Sequence, residues 1–560
     1  MRLPGPLTTK AFGSLPPSQQ AAGGAGGSTG LQSLQQQDAA LRQLYLGEWP
    51  PSEPPEFVRV VESARPPTAD VDVDVAVCGG TLGILLACAL QRKGHSVAVV
   101  EAGPLRGRDQ DWNTSLEELM ALVDEGVIDA SDLARVAPIQ FGPMACKFGP
   151  RPALQLELSG VLDVGVSPAA LLHCVRSRFE RAGGIVLERA PLRDVTIHPD
   201  GARCAIEPIG ATGEAVPIHL HARLVVDAMG HRSRIALQQR AGQRPDGVCV
   251  QVGCAARGPW RADSASRGDF FVTTDDAVYR GPNRRARVQY FRQAFPSSAA
   301  PEERSSYLFT YFRPGAEMPS LLEVMEEYWR TLPAAEGGRL QTATPSTTAS
   351  TTAGGRASAA EATAAEEGAA EEGAAAVLDT LEVSRILFGW FPIYRRNAPL
   401  APCFDRILSV GDASAVQSPI SFGGFCAMLR HLPRYSRGID LALASDQLRA
   451  RNLALLAPYL PNLGTAWMSA AAMTARTTDA PPMSDDGAER AAAPSYALVN
   501  RLLEGNFKVG LTLSLPGTCQ ATCPLPPHFP HTSMPTSYLL PHPTSRALPA
   551  HFASRGAVRR

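Results

Sequence analysis

Short apolar runs with a two-residue alternation are separated by longer stretches of helical period from Val71 onward, and that order predicts an α/β protein. Val73, Val75 and Val77 alternate with polar positions in a first strand. A glycine-rich turn over Cys78–Gly83 opens a helix whose apolar content is Leu85, Leu86, Cys88, Ala89 and Leu90, and Gly94 ends it. A second strand, Ser96 to Val100, finishes on Glu101. Ser167 reads as a helix N-cap with Pro168 at the first helical position; the helix runs to about Ala182, and Ile185–Leu187 is the strand after it. Cys249–Cys254, Phe270–Thr274, Arg287–Phe295 and Ser306–Phe312 are rich in β-branched and aromatic residues and read as strands, followed by a helix from Ser320 to Leu332.

Elsewhere the pattern fails. Met1 to Gln37 has no acidic residue and carries much Gly, Ser, Thr, Pro, Gln and Ala. It reads as an organellar transit peptide or an ordinary disordered tail, with a Pro/Glu-rich linker up to residue 70. The stretch from about Gln341 to Ala376 is Ala, Thr, Gly and Glu without apolar period, which predicts a disordered insertion. From about Gly510 to Arg560 the chain has no acidic residue and is proline-rich; it reads as unstructured, one reading being that it is not genuine coding sequence. The expected division is therefore a leader and linker over 1–70, a first domain over 71–240 plus 378–445, a second domain over 241–340, a disordered insertion over 341–377, a helical region over 446–509 and a tail over 510–560.

Bulk properties narrow the function. The 560-residue chain is 44% hydrophobic and 19% charged, with a net charge of −1, which excludes the basic field of a general nucleic-acid binder. The eleven cysteines show no C-x-x-C pairing or His/Cys spacing for metal, so they read as free thiols, and no metal is expected. Leu453 to Met473 is apolar but broken by Pro458, Pro461 and Gly464, short of the roughly 18 uninterrupted residues a membrane span needs. An amphipathic surface segment remains open there. No internal repeat is present.

Three strand-and-turn motifs carry the chemistry. In the first, Gly79, Gly80, Thr81, Leu82 and Gly83 form a phosphate-binding turn at a helix N-terminus, where unpaired N–H groups and the helix dipole favour anions. Glu101, 21 residues after Gly80, is placed for ribose hydroxyls. Cys78 stands where the first glycine of G-x-G-x-x-G is usual. The second motif, RLVVDAMGHRS, supplies Asp227 and Gly230; the third, ILSVGDASAVQSPISFGG, supplies Gly411, Asp412, Pro419, Gly423 and Gly424. A strand followed by Gly-Asp suits the ribityl hydroxyls of FAD, and the paired glycines suit close approach to the flavin ring. Three such elements in chain order point to FAD rather than to NAD alone. Arg106 and Arg108 are candidates for the FAD phosphates or for solvent. Asp109, Asp111 and Trp112 are candidates for a pocket wall or a surface loop, and the aromatic run Phe388–Arg396 for an apolar ligand or for core. The fold class expected is α/β: a Rossmann-like FAD-binding domain in a two-domain, flavoprotein hydroxylase-like arrangement, a mixed, mainly antiparallel substrate domain and a helical C-terminal region.

CGGTLGI (78–84), RGRDQDWN (106–113), VVDAMG (225–230), YLFTYF (307–312), EEYW (326–329) and VGDASAVQSPISFGGF (410–425) together resemble plastid and cyanobacterial lycopene cyclase homologues of the CruA/CruP type, nearest the CruP branch. The likeness covers about Asp72 to Lys508 apart from the insertion, and Cys in place of the first glycine recurs in that family. It implies a chloroplast flavoprotein of carotenoid metabolism, acting on a carotenoid or other isoprenoid with reduced FAD stabilising a carbocation, and peripheral contact with a membrane. Two other functions stay open: a redox flavoenzyme (a monooxygenase or prenyl reductase drawing on NADPH), and a flavin- or carotenoid-binding protein without turnover. No residue is assigned as the general acid.

Overall fold

The structure, a computed structural model, describes residues 3–15, 30–66, 68–107, 110–148, 154–209, 216–260, 262–273, 277–281, 284–315, 318–336, 368, 371–416, 424–457, 473–474 and 476–477. Arg108, Asp109, Pro419, Gly423, the insertion through residue 367 and the tail over 510–560 lie outside them.

Strands are numbered here in chain order. The first sheet has eight: β1 (Val58–Val60), β2 (Val71–Cys78), β3 (Val97–Val100), β9 (Ile185–Leu187), β10 (Leu192–His198), β11 (Gly201–Ile206), β12 (Ile218–Asp227) and β20 (Ile407–Ser409). At its centre β9, β3, β2, β12 and β20 run parallel in that spatial order. β12 is long enough to serve two neighbours on one side: Ile218–Ala222 pair antiparallel with β11, and Val225–Asp227 pair parallel with β20. Alternation along β2 sends Val75 and Val77 to one face and Ala76 and Cys78 to the other, as period two requires. On the first face pack α3 (Gly80–Arg92), α4 (Leu116–Asp124), α5 (Pro168–Arg181) and α8 (Gly424–Ala444). Helix α3 lies between α5 and α8, which explains why Ile84 through Leu90 are all buried. Ser167 caps α5 by accepting the Ala170 N–H at 3.3 Å, and Pro168 opens it, as the sequence predicts. The second face is covered by Phe57 and by Ile235 of α6 (Arg234–Arg240).

The second sheet has seven strands in the order β19 (Glu382–Ile393), β13 (Gly247–Arg257), β18 (Glu303–Phe312), β17 (Phe291–Pro296), β14 (Gly268–Thr273), β6 (Met144–Phe148) and β7 (Leu154–Leu158). Only the β14–β6 pairing among them is parallel. A small sheet of β4 (Trp112–Thr114), β8 (Val164–Val166) and β5 (Ile139–Gln140) bridges the two large ones, and β15 (Ala277–Gly281), β16 (Arg284–Val288) and β21 (Arg476–Thr477) form a fourth. The architecture is thus the expected one: a Rossmann-like parallel domain joined to a mixed, mainly antiparallel domain.

The domain limits differ from the sequence expectation. β6, β7 and β19 belong to the second sheet rather than the first domain, because β6 pairs with β14 and carries β7 on its other side, while β19 pairs with β13. β1 joins the first sheet from within the presumed linker. The leader is also not structureless where it is described. Helices α1 (Pro6–Gly13) and α2 (Leu31–Leu46) lie with α7 (Leu321–Glu336) against the second sheet. Leu7, Phe12, Leu34, Leu41 and Leu44 are buried there, and the Phe12 and Phe388 rings sit 6.3 Å apart. Residues 371–379 at the end of the presumed insertion are helical and bury Ala374, Val377 and Leu378 in the same cluster. The helical region expected over 446–509 shows one short helix, Ala450–Leu453, and a 3-10 turn at Ala454–Leu456 among the described residues.

Candidate functional site

The C-terminal ends of the parallel strands meet at one edge of the first sheet. Gly79 N–H donates to Val100 O (2.8 Å), Ala228 N–H to Cys78 O (2.8 Å), Val410 N–H to Asp227 O (2.9 Å) and Glu101 N–H to Leu187 O (2.9 Å). Four loops therefore leave side by side where the strand order reverses, with β3 on one side of β2 and β12 on the other, the place open α/β sheets use for ligands. The turn after β2 explains the unusual cysteine. Cys78 is still an extended strand residue with its side chain buried in the opposite face; the positive φ (+99°) falls on Gly79, where a Cβ would come within 2.4 Å of Ala228 O. Glycine is required one position later than the G-x-G-x-x-G reading places the tight turn. At Gly83 a Cβ would meet Val77 Cγ1 at 2.7 Å, so this glycine sets how closely α3 lies on β2.

Glu101 sits at the mouth of that turn. Its Oε2 accepts the Gly80 N–H (2.7 Å) and its Oε1 the Gly103 N–H (3.1 Å). The carboxylate is held beside the N-terminus of α3, where the helix dipole favours it. Thr81 and Leu82 are half-buried, Leu82 against the helical core.

Asp227 departs from its expected role. It is fully buried: Oδ2 accepts from Ser233 Oγ (2.6 Å) and Ser409 Oγ (3.2 Å), and Oδ1 from the Met229 N–H (3.1 Å). Burial pushes its pKa up to about 6. The carboxylate fastens its own loop and β20 from beneath instead of reaching a ligand. Gly230, at φ +76°, stands at the open side of that loop with nothing within 4 Å of where a Cβ would be. The adjacent His231 is kept neutral by burial, its pKa lowered to about 4, and its ring lies 5.5 Å from Trp390.

In the third loop Gly411 has φ +57°, and Asp412 follows it in a 3-10 turn. A Cβ on Gly424, the first residue of α8, would come within 3.1 Å of Asp412 Oδ1, so this carboxylate and the start of α8 are juxtaposed. Arg106 is exposed.

Beside the start of α8 stands an aromatic wall. Phe291, Phe295, Tyr307, Phe309 and Tyr311 of β17 and β18 cluster on one face of the second sheet with Phe141. Phe291 and Phe309 stack at 5.5 Å and 17°, and Tyr311 meets both edge-on. Burial drives the Tyr311 hydroxyl well above its ordinary range. Cys426, two residues into α8, belongs to the same cluster and so ties the wall to the first domain. Trp112 packs on Phe425 with centroids 4.7 Å apart. Asp111 is buried and accepts from Ser298 N–H (2.7 Å) and Oγ (2.6 Å), which anchors the small sheet to the β17–β18 turn. The run Phe388–Arg396 divides: Phe388 and Trp390 are core beneath α1 and α2, while Phe391 and Ile393 join the aromatic cluster.

No family model and no curated protein matches the chain. Among solved structures, it is similar to a geranylgeranyl bacteriochlorophyll reductase-like protein from Thermoplasma acidophilum, at 13% identity over 78% of this chain and 91% of that one, with a TM-score of 0.49. It is also similar to CmlS, a flavin-dependent halogenase (16% identity, 72% and 63% covered, TM-score 0.44), and to the OxyS anhydrotetracycline hydroxylase from Streptomyces rimosus (15%, 79% and 74%, 0.43).

Proposed function

We propose that the protein is an FAD-binding flavoprotein acting on an apolar isoprenoid, in the manner of a lycopene cyclase homologue. The observation that carries the reading is the meeting of Glu101, the Gly79–Gly80 turn, the open side of Gly230 and the Gly411–Asp412 turn at one sheet edge, with an aromatic cluster packed beside the start of α8. These residues fit the dinucleotide: Glu101 suits the adenosine ribose, the N-termini of α3 and α8 suit the pyrophosphate, and Asp412 suits the ribityl chain. FAD, when bound and reduced, would supply an electron-rich ring beside a polyene on which positive charge develops. The chain's own part would be to hold FAD through Glu101, the N-termini of α3 and α8 and Asp412, and to exclude water through Phe291, Phe309 and Trp112.

The visible spectrum of the purified chain, before and after acid release of its chromophore, tests the reading. Flavin bands and released FAD support it; folded protein that takes up no FAD even in excess overturns it. With FAD bound, a cyclic product formed from a linear carotenoid without loss of reductant supports the cyclase form. NADPH consumed only when substrate is added supports the redox form, and a carotenoid bound tightly and returned unchanged supports a binding protein. Chloroplast residence and peripheral membrane contact belong to this proposal; flotation with liposomes and fractionation of plastids test them. Among the described residues no helix is long and apolar enough to cross a membrane.

A further inference from the structure

One row of residues crosses the aromatic face of the second sheet. The strand registers set Gly389 of β19 opposite Gln251 of β13, Gln251 opposite Phe309 of β18, and Phe309 opposite Phe291 of β17. Phe309 and Phe291 are fully buried, whereas Gln251 and Gly389 are half-buried. Phe391 and Ile393, the next residues of β19 on this face, are half-buried as well. The face is thus closed at Phe309 and Phe291, and open at Gln251 and along β19 from Gly389 to Ile393.

The two ordinary reasons for a glycine fail at Gly389. Its backbone lies outside the left-handed region, and nothing among the described residues stands within 4 Å of where a Cβ would be. Gly253, on the same face of β13, is the contrast: a Cβ there would collide with the Ser306 carbonyl oxygen. Glycine inside a strand gives up conformational entropy and a side chain to pack, and it marks places where another backbone or a ligand comes close. Here no backbone does. Leu387 and Phe391, two residues away on either side, share the face of Gly389 and are apolar, as are Ile393 and Phe309. Gln251 brings a neutral amide and no charge to desolvate. This stretch of β19 also runs beside the first domain: the Trp390 ring lies 5.5 Å from that of His231, the residue after Gly230, and Arg240 of α6 stands 3.7 Å over the Tyr394 ring.

We propose that Gly389 is a specificity-determining residue, and that the space left by its missing side chain takes a stretch of an extended apolar chain lying over β19 between Leu387 and Phe391. The ligand class is a linear isoprenoid or polyene. Any larger residue at 389 projects into the path of that chain, so this one position sets what can lie against the sheet. The inference rests on the reading of an apolar isoprenoid above and names the residue that admits it.

All-trans-retinol, a linear polyene that absorbs where tryptophan emits, is titrated into the full FAD-treated chain and followed by quenching of tryptophan fluorescence. Wild type is expected to bind it saturably. Gly389→Leu should weaken binding about tenfold or more, the effect of one misfit side chain against the ligand, and Gly389→Ala by a smaller factor. The thermal midpoint without retinol should hold or rise in Gly389→Ala, because alanine restricts the unfolded chain and meets nothing in the folded one. A merely structural glycine gives the opposite result, a lower midpoint with retinol affinity unchanged. Should Gly389→Leu fail to fold, Gly389→Ala and Gly389→Ser decide. Retinol affinity that is the same in wild type and the folded variants, or wild type that binds no retinol, overturns the inference. Flavin absorbance is read on the same samples. A chain that takes up no FAD overturns the parent reading, and the ratio of retinol affinities between wild type and variant still decides the role of Gly389.

Discussion

The two faces of the seven-stranded sheet are built from the same strands and do different things. On one, Val248, Val250 and Val252 of β13, Leu308 of β18 and Ile386, Phe388 and Trp390 of β19 lie beneath α1, α2 and α7. On the other, the intervening residues are Cys249, Tyr307, Phe309, Tyr311 and Phe391, and what they face is the small sheet and the start of α8. Alternation decides which residue goes where; what covers each face decides its chemistry. The first face is close-packed because helices from the chain's own N-terminus and from 321–336 seal it. The second is aromatic, carries buried hydroxyl and thiol groups, and adjoins the loops of the first sheet.

If that contrast holds, damage to the sealed face costs stability and spares the flavin. Trp329 of α7 is 1% exposed, and its ring packs edge-on against Tyr328 at 4.8 Å. Trp329→Ala should cost about 3–5 kcal/mol, read as a large fall in thermal midpoint, while the folded fraction still binds FAD. A variant of normal stability would break the comparison.

Gly79→Ala is the counterpart on the site side. The added methyl is forced into a positive φ and toward Ala228 O, for a cost of about 2–4 kcal/mol. Here FAD retention measured by absorbance should fall before the thermal midpoint does, because the turn displaced is the one expected to hold phosphate. Equal losses in both readouts would place this glycine with the general scaffold.

Much of this was legible in the sequence. The β2–α3–β3 unit is carried by local patterning, and so is the α5 cap at Ser167. The N-terminal helices were not. Their apolar residues, Leu34, Leu41 and Leu44 among them, are diluted by Gln and Ala, and the stripe gains meaning only from a surface about 300 residues away in the chain. Long-range pairing likewise hid the true allegiance of β6, β7 and β19. Asp227 was found as a residue and misjudged in role, because a strand-end Asp reads alike whether it reaches a ligand or ties down Ser233.

Asp227 offers a graded test on pH. Its folded pKa, about 6, lies above the ordinary carboxylate value of 3.8, so the folded state holds a proton that the unfolded chain releases at lower pH. That contribution is present in full below about pH 4 and is lost as pH rises toward 6, by at most about 3 kcal/mol. Asp227→Asn cannot titrate. Urea-unfolding curves should therefore show wild type losing ground to Asp227→Asn between about pH 4 and 6 and running parallel to it above that. A gap that stays constant across this range would mean that the buried carboxylate is already ionised when acid, and that Ser233 and Ser409 outweigh its burial.

The smallest effect expected concerns how α1 is held. Gly5 at its N-cap has no side chain to offer, and the cap comes from Glu326 of α7 instead: Leu7 N–H and Thr8 N–H each donate to it at 2.9 Å, and Thr8 Oγ1 at 2.7 Å. A carboxylate meeting free N–H groups at a helix start is worth about 1–2 kcal/mol. Glu326→Ala should free the first helix for limited proteolysis near Phe12 while α7 and the flavin spectrum stay as they were. Were the flavin also lost, the sealed face and the site would be coupled through the His231–Trp390 contact, which lies between them, and the two faces of the sheet could no longer be treated as independent.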